Sequence, residues 1–264
     1  MNNLVTKISE QLSPLLTDEQ QSWLTKAIKL IKQAKTHDDL ELELLNQSVF
    51  VKRKFTQEID FSAEFNALNL AQLVRLLLIK NALETDKKIT FESQTEVTTK
   101  LLKNYYQFGD ESEKCALLAS LIWLDPQGLA VQTAIKACRC NSLIEYSAIA
   151  LNNPYPAEYF PELNFNQLVL KSLFMGLDIS QITNLKNRLN PKLSNMCFAY
   201  AIEQALADRL PPASIWQAVI FNQLDNNNQS QVQQYLKHFM HQDAQHQAQI
   251  NQQLHEQNAL SLLD

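Results

Sequence analysis

Apolar residues recur three and four positions apart along most of the chain, which is the spacing of a helix with one buried face. The strongest example runs over residues 69–84, where apolar side chains lie nearly all round the helix, so we expect this helix to be central. Weaker examples predict further helices at about 4–12, 18–34, 37–47, 91–107, 111–124, 127–138, 143–151, 164–175, 190–208, 213–222 and 232–241.

Capping residues mark several of these helix boundaries. Asp125 and Asn190 are each followed by proline. In each pair the first residue can cap a helix, and the proline suits the first helical turn. Asn164 is predicted to cap the next helix after a run of prolines, and Gly176 to end it. Three capping boxes, each a capping side chain followed three positions later by Glu or Gln, are also present: Thr17 with Gln20, Asp110 with Glu113, and Ser142 with Glu145.

One stretch departs from the helical pattern. Residues 48–65 are rich in β-branched and aromatic side chains with short alternation, which is typical of a short strand or an extended connection. A hairpin near residues 48–60 is an alternative, although it lacks a turn signal. Lys52, Arg53 and Lys54 form a basic triplet, which we interpret as a solvent-exposed run.

Composition favours an all-α fold. Only three glycines occur in 264 residues, and sheets need turns that usually contain glycine. The three short helices predicted between residues 109 and 151 are typical of stacked antiparallel helix pairs, as in a HEAT-like α-α superhelix, although their period is irregular. We predict one α-helical domain over residues 1–224, followed by a polar Gln- and His-rich helix or tail over 225–264.

Charge, hydropathy and cysteine usage restrict the function classes. The net charge of −5 argues against a nucleic-acid-binding protein, which would carry a basic face. No run reaches the roughly 20 apolar residues of a membrane span, and the N-terminal residues lack the apolar core of a signal peptide, so we expect a cytoplasmic protein. The four cysteines are interpreted as free thiols, since no histidine lies near Cys138 and Cys140.

Motifs for catalysis and metal binding are missing from the sequence. There is no nucleophile elbow, glycine-rich phosphate loop or paired zinc-ligand motif, so neither a cofactor nor a metal is predicted. Four of the five histidines lie near the C-terminus, and two of them, His238 and His241, share a helix face. We interpret this region as a solvated polar helix or a frayed tail rather than a zinc site.

The best candidate for a binding site is the proline-rich segment, residues 152–176, which holds three of the eight prolines between helical stretches. Two of these prolines are expected to keep Asn153 and Tyr155 extended. Tyr155 and Tyr159 would place rigid rings beside helix ends with free backbone groups. The alternative is structural, with the rings buried and the asparagine acting only as a cap.

Two further side chains extend this candidate surface. Gln167 and Lys171 lie one turn apart on the same helix face, where they would present an amide and a cation to an anionic ligand. The alternative interpretation is that Lys171 is an ordinary surface lysine with no role in binding.

A resemblance to a known family is dense over about residues 109–210 and rests chiefly on NPYPAEYFPE (153–162) and FNQLVLK (165–171). In these runs the chain resembles the EboA-like family of bacterial metabolite traffic proteins. Shorter matches support it: Gly109, Asp110 and Glu111; Ala137, Cys138 and Arg139; Asn141; Tyr200 and Glu203; Asp208 and Arg209. The chain departs from the family pattern at Cys140, where a small polar residue is expected, and at Asp208, where glycine is expected.

The resemblance implies a cellular role but does not indicate a chemical reaction. Genes of this family lie in a small operon implicated in moving secondary-metabolite or prenylated precursors toward the periplasm, which implies a cytoplasmic helper in metabolite handling. Our first hypothesis is a non-catalytic helical protein that binds such a precursor or another operon-encoded protein. The alternatives are an enzyme of unrecognised type that acts on the precursor, and a helical scaffold whose C-terminal helix docks on operon partners.

The first hypothesis assigns roles to eight side chains. Arg139 and Lys171 would bind an anionic group, Tyr155 and Tyr159 would stack on the ligand, and the amides would orient it. The predicted ligand- or partner-binding residues are Arg139, Asn141, Asn153, Tyr155, Tyr159, Asn166, Gln167 and Lys171.

Overall fold

The computed structural model of the chain describes residues 4–59, 64–65, 67–89 and 94–263. These residues form helices and no β-strand, so the predicted all-α fold is confirmed. The described residues form two compact units, Met1–Ile149 and Ala150–Asp264. The predicted domain boundary at residue 224 stays a prediction. The HEAT-like stacking of helix pairs stays a prediction. No helix in the described ranges is long and apolar enough to cross a membrane.

The first unit is organised around one buried helix. Its α-helices are α1 (Leu4–Leu12), α2 (Asp18–Gln33), α3 (His37–Lys54), α4 (Leu70–Ile89), α5 (Gln94–Phe108), α6 (Glu111–Leu124), α7 (Val131–Ala137) and α8 (Leu143–Ala150), the last of which ends at the boundary. Residues 73–79 of α4 are all buried, and α4 packs against α1, α2, α3, α5 and α6. The prediction that this helix is central is therefore confirmed.

The predicted capping boxes begin three of these helices. Both reciprocal hydrogen bonds are present in the boxes that begin at Thr17 and Asp110. In the third box the Ser142 hydroxyl accepts from the Glu145 amide at 3.2 Å, as expected. The Glu145 carboxylate instead accepts from the hydroxyl of Tyr106. The cap of α8 therefore also ties this helix to α5.

The predicted strand or hairpin near residues 48–60 is wrong for residues 48–54, because α3 continues to Lys54. Leu40, Leu44, Ser48 and Val51 are buried at helical spacing along α3. Burial of this face outweighs the β-branched composition, which is only a weak preference. Residues 55–59 have no regular secondary structure. The rest of the predicted extended segment at 60–63, and the predicted helix start at 91–93, lie outside the described residues.

A second correction concerns the turn between α6 and α7. The Asp125 carboxylate accepts from the amides of Leu129 and Ala130 at 3.0 and 2.7 Å. Gly128 has a φ of +70°, a conformation that glycine adopts at little cost. Asp125 therefore stabilises a turn, and α7 begins at Val131 rather than near residue 127.

The second unit mixes α-helices with short 3₁₀ helices. Its α-helices are α9 (Tyr155–Tyr159), α10 (Glu162–Phe174), α11 (Pro191–Leu206), α12 (Asn226–Gln229), α13 (Val232–Gln242) and α14 (Ala244–Glu256). Its 3₁₀ helices are Ile179–Gln181, Leu185–Arg188, Ala213–Ala218, Phe221–Gln223 and Leu260–Leu263.

Local signals predicted several boundaries in this unit. Asn190 caps α11 through a bond from the Leu193 amide at 2.9 Å, and Gly176, with a φ of +76°, follows the end of α10; both predictions are confirmed. By contrast, α10 begins at Glu162, so Asn164 lies inside the helix rather than capping it. The helix predicted after Pro212 is a 3₁₀ helix.

The C-terminal region is not a frayed tail. Trp216, at 0 % exposure, donates from Nε1 to His246 Nδ1 at 2.9 Å, and His246 Nε2 donates to the Pro211 carbonyl at 2.9 Å. His246 also stacks on Phe239 with ring centroids 4.9 Å apart. These contacts join α13 and α14 to the 3₁₀ helix Ala213–Ala218, so the interpretation of residues 242–258 as a solvated helix is wrong for this face.

Residues 225–231, predicted to be a linker or loop, also contain ordered structure. Asp225 caps α12 by accepting from the Asn228 amide at 2.9 Å. The buried Asn228 side chain donates to Asn195 Oδ1 at 2.8 Å. These bonds attach the polar stretch to α11, and local composition gave no sign of them.

We expect His246 to make the stability of the second unit depend on pH. Burial lowers the pKa of His246 below its ordinary value of 6.5, because a buried site disfavours the charged imidazolium. A proton on Nδ1 would also remove the acceptor for Trp216. Its contribution to the free energy of unfolding is therefore complete above about pH 6.5 and is lost as the pH falls toward the lowered pKa. Urea unfolding at about pH 7.5 and about pH 5.5 measures this loss.

The matched control is a second histidine on the same helix. His255 is exposed near the end of α14, so His255→Gln should leave the pH dependence unchanged. His246→Gln should be less stable at neutral pH and should lose less stability on acidification than the wild type. Equal losses in the wild type and His246→Gln would contradict this assignment.

Candidate functional site

The proline-rich segment begins with two asparagines that set its direction. Asn152 has a φ of +51°, and its amide donates to the Gln181 carbonyl at 2.8 Å. Asn153 Oδ1 accepts from the Tyr155 amide at 3.0 Å, a turn that asparagine commonly forms. The chain then enters α9 at Tyr155, so the prediction that Tyr155 is extended is wrong. The Asn153 side chain thus forms the turn that leads into α9.

Three of the predicted binding side chains in this segment are buried. Asn153, Tyr155 and Asn166 have exposures of 3 %, 0 % and 1 %. The Tyr155 ring lies 4.7 Å from that of half-buried Tyr159. Asn166 exchanges amide hydrogen bonds at 3.1 and 3.0 Å with Asn190, the cap of α11. These contacts support the structural alternative for the three buried side chains.

The remaining predicted residues lie closer to solvent. Gln167 is exposed and Lys171 is half-buried on α10, in the second unit. Arg139 and Asn141 are exposed after α7, in the first unit. The structure therefore distributes the eight residues over both units, and their role in binding stays a prediction.

Arg188 is an important residue of the segment that the sequence did not indicate. Its guanidinium donates to the carbonyls of Ala157 and, at 2.7 Å, Phe160 at the end of α9, and lies 4.4 Å from the centre of the Phe165 ring. A cation at a helix C-terminus satisfies free carbonyl groups and interacts favourably with the helix dipole. This five-residue helix is thus held by a side chain distant in sequence, which no local pattern reveals.

A cavity of about 490 Å³ lies in the first unit, beside the end of α3, the start of α4 and the start of α6. Small-molecule sites typically measure roughly 300–1,000 Å³. Part of its wall is apolar, formed by Phe55, Leu70, Ala71, Cys115 and Ile144. The rest is polar and charged, formed by Lys52, Thr56, Gln57, Glu58, Asn69, Gln72, Arg75, Glu111 and Ser112.

Arg75 is a cavity residue that belongs to the buried helix α4 and is only 1 % exposed. Its Nε and Nη2 donate to the hydroxyl and carbonyl of Ser48, both at 3.3 Å, and Nη1 donates to the Ser112 hydroxyl at 2.8 Å. Within the described residues, no carboxylate oxygen forms an ion pair with this guanidinium. A buried charge without an ionic partner costs several kcal/mol, about the cost of a destabilising core mutation.

Tyr105 completes this buried network without supplying a negative charge. Its hydroxyl lies 2.5 Å from the Ser48 hydroxyl. Burial raises the pKa of Tyr105, so the phenol stays protonated at neutral pH. Among the described residues, the hydrogen bonds of Arg75 are therefore made to hydroxyl and carbonyl groups.

Two other cavities are lined by different chemistry. One of about 470 Å³ in the first unit is bordered by Lys103, Lys114 and Lys136, and one of about 320 Å³ in the second unit by Lys186, Gln253 and Glu256. None of the eight predicted binding residues lines any of the three cavities. In the described parts of the chain, no three or more His, Cys, Asp or Glu side chains are grouped to hold a metal ion.

Comparison with protein families identifies the chain. The family model described as metabolite traffic protein EboA matches residues 4–220. The chain belongs to the EboA family. No curated protein and no solved structure matches it significantly.

The extent of the EboA match is longer than the sequence motifs indicated. The motifs lie within about residues 109–210, whereas the EboA model begins at residue 4 and so includes the whole lining of the 490 Å³ cavity. It ends at residue 220, so α12, α13 and α14 lie beyond it. All residues that line the cavity therefore lie in the part of the chain that the EboA family model matches.

Proposed function

We propose that this EboA protein takes part in metabolite traffic as a non-catalytic binding protein that holds a small precursor, such as that of a secondary metabolite, in the cytoplasm. Membership of the family is the basis for proposing a role in metabolite traffic. The binding role is proposed because the 490 Å³ cavity has both apolar and polar walls. The precursor would bind in the first unit rather than along the proline-rich segment.

The chemistry of the cavity wall supports binding rather than covalent catalysis. Cys115 is the one thiol in the wall, and burial raises its pKa to about 11, so it remains a weakly nucleophilic thiol at neutral pH. The lining contains no histidine, and its two carboxylates, Glu58 and Glu111, are exposed to solvent. These features favour the first hypothesis over an enzyme of unrecognised type.

The scaffold hypothesis depended on a C-terminal helix that is free to dock on an operon-encoded partner. In the structure, α14 buries His246, Ile250 and Leu254 within the second unit. Its apolar face is therefore already occupied, and we give the scaffold hypothesis less weight than the metabolite-binding one.

A cavity-filling variant tests the proposal. Ala71 lines the cavity and is half-buried, so Ala71→Phe should fill part of the volume. Ala119, half-buried on α6 outside the cavity lining, gives the matched control Ala119→Phe. Each protein is incubated with an extract of precursor-producing cells and separated from free small molecules. The retained metabolites are then measured by mass spectrometry.

We expect the wild type and Ala119→Phe to retain the same small molecule, unchanged in mass, and Ala71→Phe to retain little. Conversion of the molecule to a product would favour the enzyme alternative. Equal retention by all three proteins would show that the binding site lies outside this cavity. The predicted pair on α10 would then be tested as Gln167→Ala and Lys171→Ala.

A further inference from the structure

We propose that the 490 Å³ cavity selects an amphipathic anion, with a carboxylate or phosphate group bound by Arg75 and the start of α6. This inference rests on the proposed function, since it names the chemical class of the ligand held there. The observations that carry it are the charge of Arg75, the donors at the start of α6 and the apolar part of the lining.

The first observation is that Arg75 has donor capacity left over. A guanidinium carries five N–H groups. The described residues accept from it only through Ser48 and Ser112, and the contact with the Ser112 carbonyl is at the limiting distance of 3.5 Å. One N–H group of this guanidinium therefore has no acceptor among the described residues, and a guanidinium suits carboxylate and phosphate geometry.

The second observation concerns Ser112. Its hydroxyl oxygen accepts from Arg75 Nη1, and no acceptor for its own proton is found among the described residues. Ser112 is only half-buried and lines the cavity, so it links the buried cation to the cavity space. An anion that accepts from the Ser112 hydroxyl would benefit from the charge of Arg75 behind it.

The third observation is the start of α6, a helix of 14 residues. Glu111 and Ser112 are its first two residues and both line the cavity, and amides at these positions have no acceptor within a helix. The capping side chain of Asp110 accepts from the Glu113 amide, and not from these two. Amides in the first turn of a helix are donors for carboxylate and phosphate groups.

The carboxylates near Arg75 would repel an anion, so their exposure and their partners must be considered. Glu111 accepts from the Ser142 hydroxyl and is exposed, and Glu58 is exposed and lines the same cavity as Lys52. The buried Glu113 accepts from the Asp110 amide through Oε2 and forms no ion pair with Arg75. The exposed charges of Glu111 and Glu58 are well screened by water. Glu113 is buried, so it is the carboxylate that opposes an anion at Arg75, and the hydrogen bond from the Asp110 amide partly offsets its charge.

The apolar wall indicates the rest of the ligand. Phe55 and Leu70 are buried, and Ile144, at 66 % exposure, extends the apolar surface outward. A ligand with an anionic head and a hydrocarbon body would bury apolar surface there while its head reaches Arg75. We expect both parts to contribute to affinity.

Three eight-carbon probes, octyl phosphate, octanoate and neutral octanol, test this inference by calorimetric titration of the full chain. Both anions should bind at least about tenfold more tightly than octanol, since hydrogen bonds to a buried charge are strong. The tighter anion identifies the head group as phosphate or carboxylate. In Arg75→Gln the two anions should bind no better than octanol.

A second pair of variants avoids the risk that Arg75→Gln does not fold. Ile144→Glu places a negative charge at the cavity, and Leu143→Glu places the same charge on the adjacent exposed residue outside the lining. Ile144→Glu should weaken octyl phosphate and octanoate more than octanol, and Leu143→Glu should leave all three unchanged.

The possible failures are distinguishable. Equal affinity for the anions and octanol in the wild type would overturn anion selection while leaving the proposed binding function in place. Binding of the anions that neither Arg75→Gln nor Ile144→Glu weakens would overturn the assignment to this cavity. Metabolite retention that is lost in Ala71→Phe, together with no binding of any probe, would overturn the amphipathic anion alone.

Discussion

Tyr155→Ala should lower the free energy of unfolding by about 3–5 kcal/mol, the range for truncating a buried aromatic side chain. Tyr155 is fully buried and packs against Tyr159 at 4.7 Å, so alanine would leave a cavity beneath α9. Urea unfolding followed by circular dichroism measures the change. A loss of this size would mean that Tyr155 shapes the proline-rich segment as a core residue.

Tyr159→Ala provides the comparison, because Tyr159 lies in the same short helix but is only half-buried. Its loss should be clearly smaller than that of Tyr155→Ala. If Tyr155→Ala is as stable as the wild type but fails to retain the metabolite, Tyr155 is a ligand contact, and the binding role first predicted for it is restored.

Trp216→Ala should destabilise the second unit by a similar amount, about 3–5 kcal/mol. Trp216 is fully buried, with Phe239 at 5.4 Å and Phe198 at 6.5 Å between ring centroids. Alanine would also leave His246 Nδ1 without its donor, and an unsatisfied buried acceptor adds to the cost. The urea midpoint of this unit should fall accordingly.

Trp216→Phe separates the two contributions to that loss. Phenylalanine keeps most of the packing and removes the indole N–H, so its cost should be about 1–3 kcal/mol. This variant should also change the pH dependence assigned to His246, whose Nδ1 would no longer be held as an acceptor. A fully stable Trp216→Ala would show that α13 and α14 do not depend on this contact.

Local interactions explain what the sequence could predict. Helix-terminal residues act on backbone groups within three or four residues, so their roles can be predicted without knowledge of the tertiary structure. Examples are Asp110, Asn190 and Gly176. Contacts distant in the chain explain what it could not predict. Ser48 and Val51 are helical because they pack against other helices, and the five-residue α9 depends on Arg188.

Arg75 lies between these two cases. Its position within a helix that is apolar nearly all round was a usable signal, because arginine is rarely buried without a partner. The sequence did not show which groups would surround it, since Ser48 and Ser112 lie on other helices. We therefore propose Arg75, rather than Arg139 and Lys171, as the residue that binds an anion, although no motif in the sequence indicated it.

The position of Trp216 has a practical consequence for work on EboA proteins. The family match stops at residue 220, only just past this indole, while Phe239 and His246, which cover it, come later in the chain. A chain cut at the family boundary would expose the ring to water and invite self-association. Recombinant fragments that represent the family should therefore retain α13 and α14, or carry a polar residue in place of Trp216.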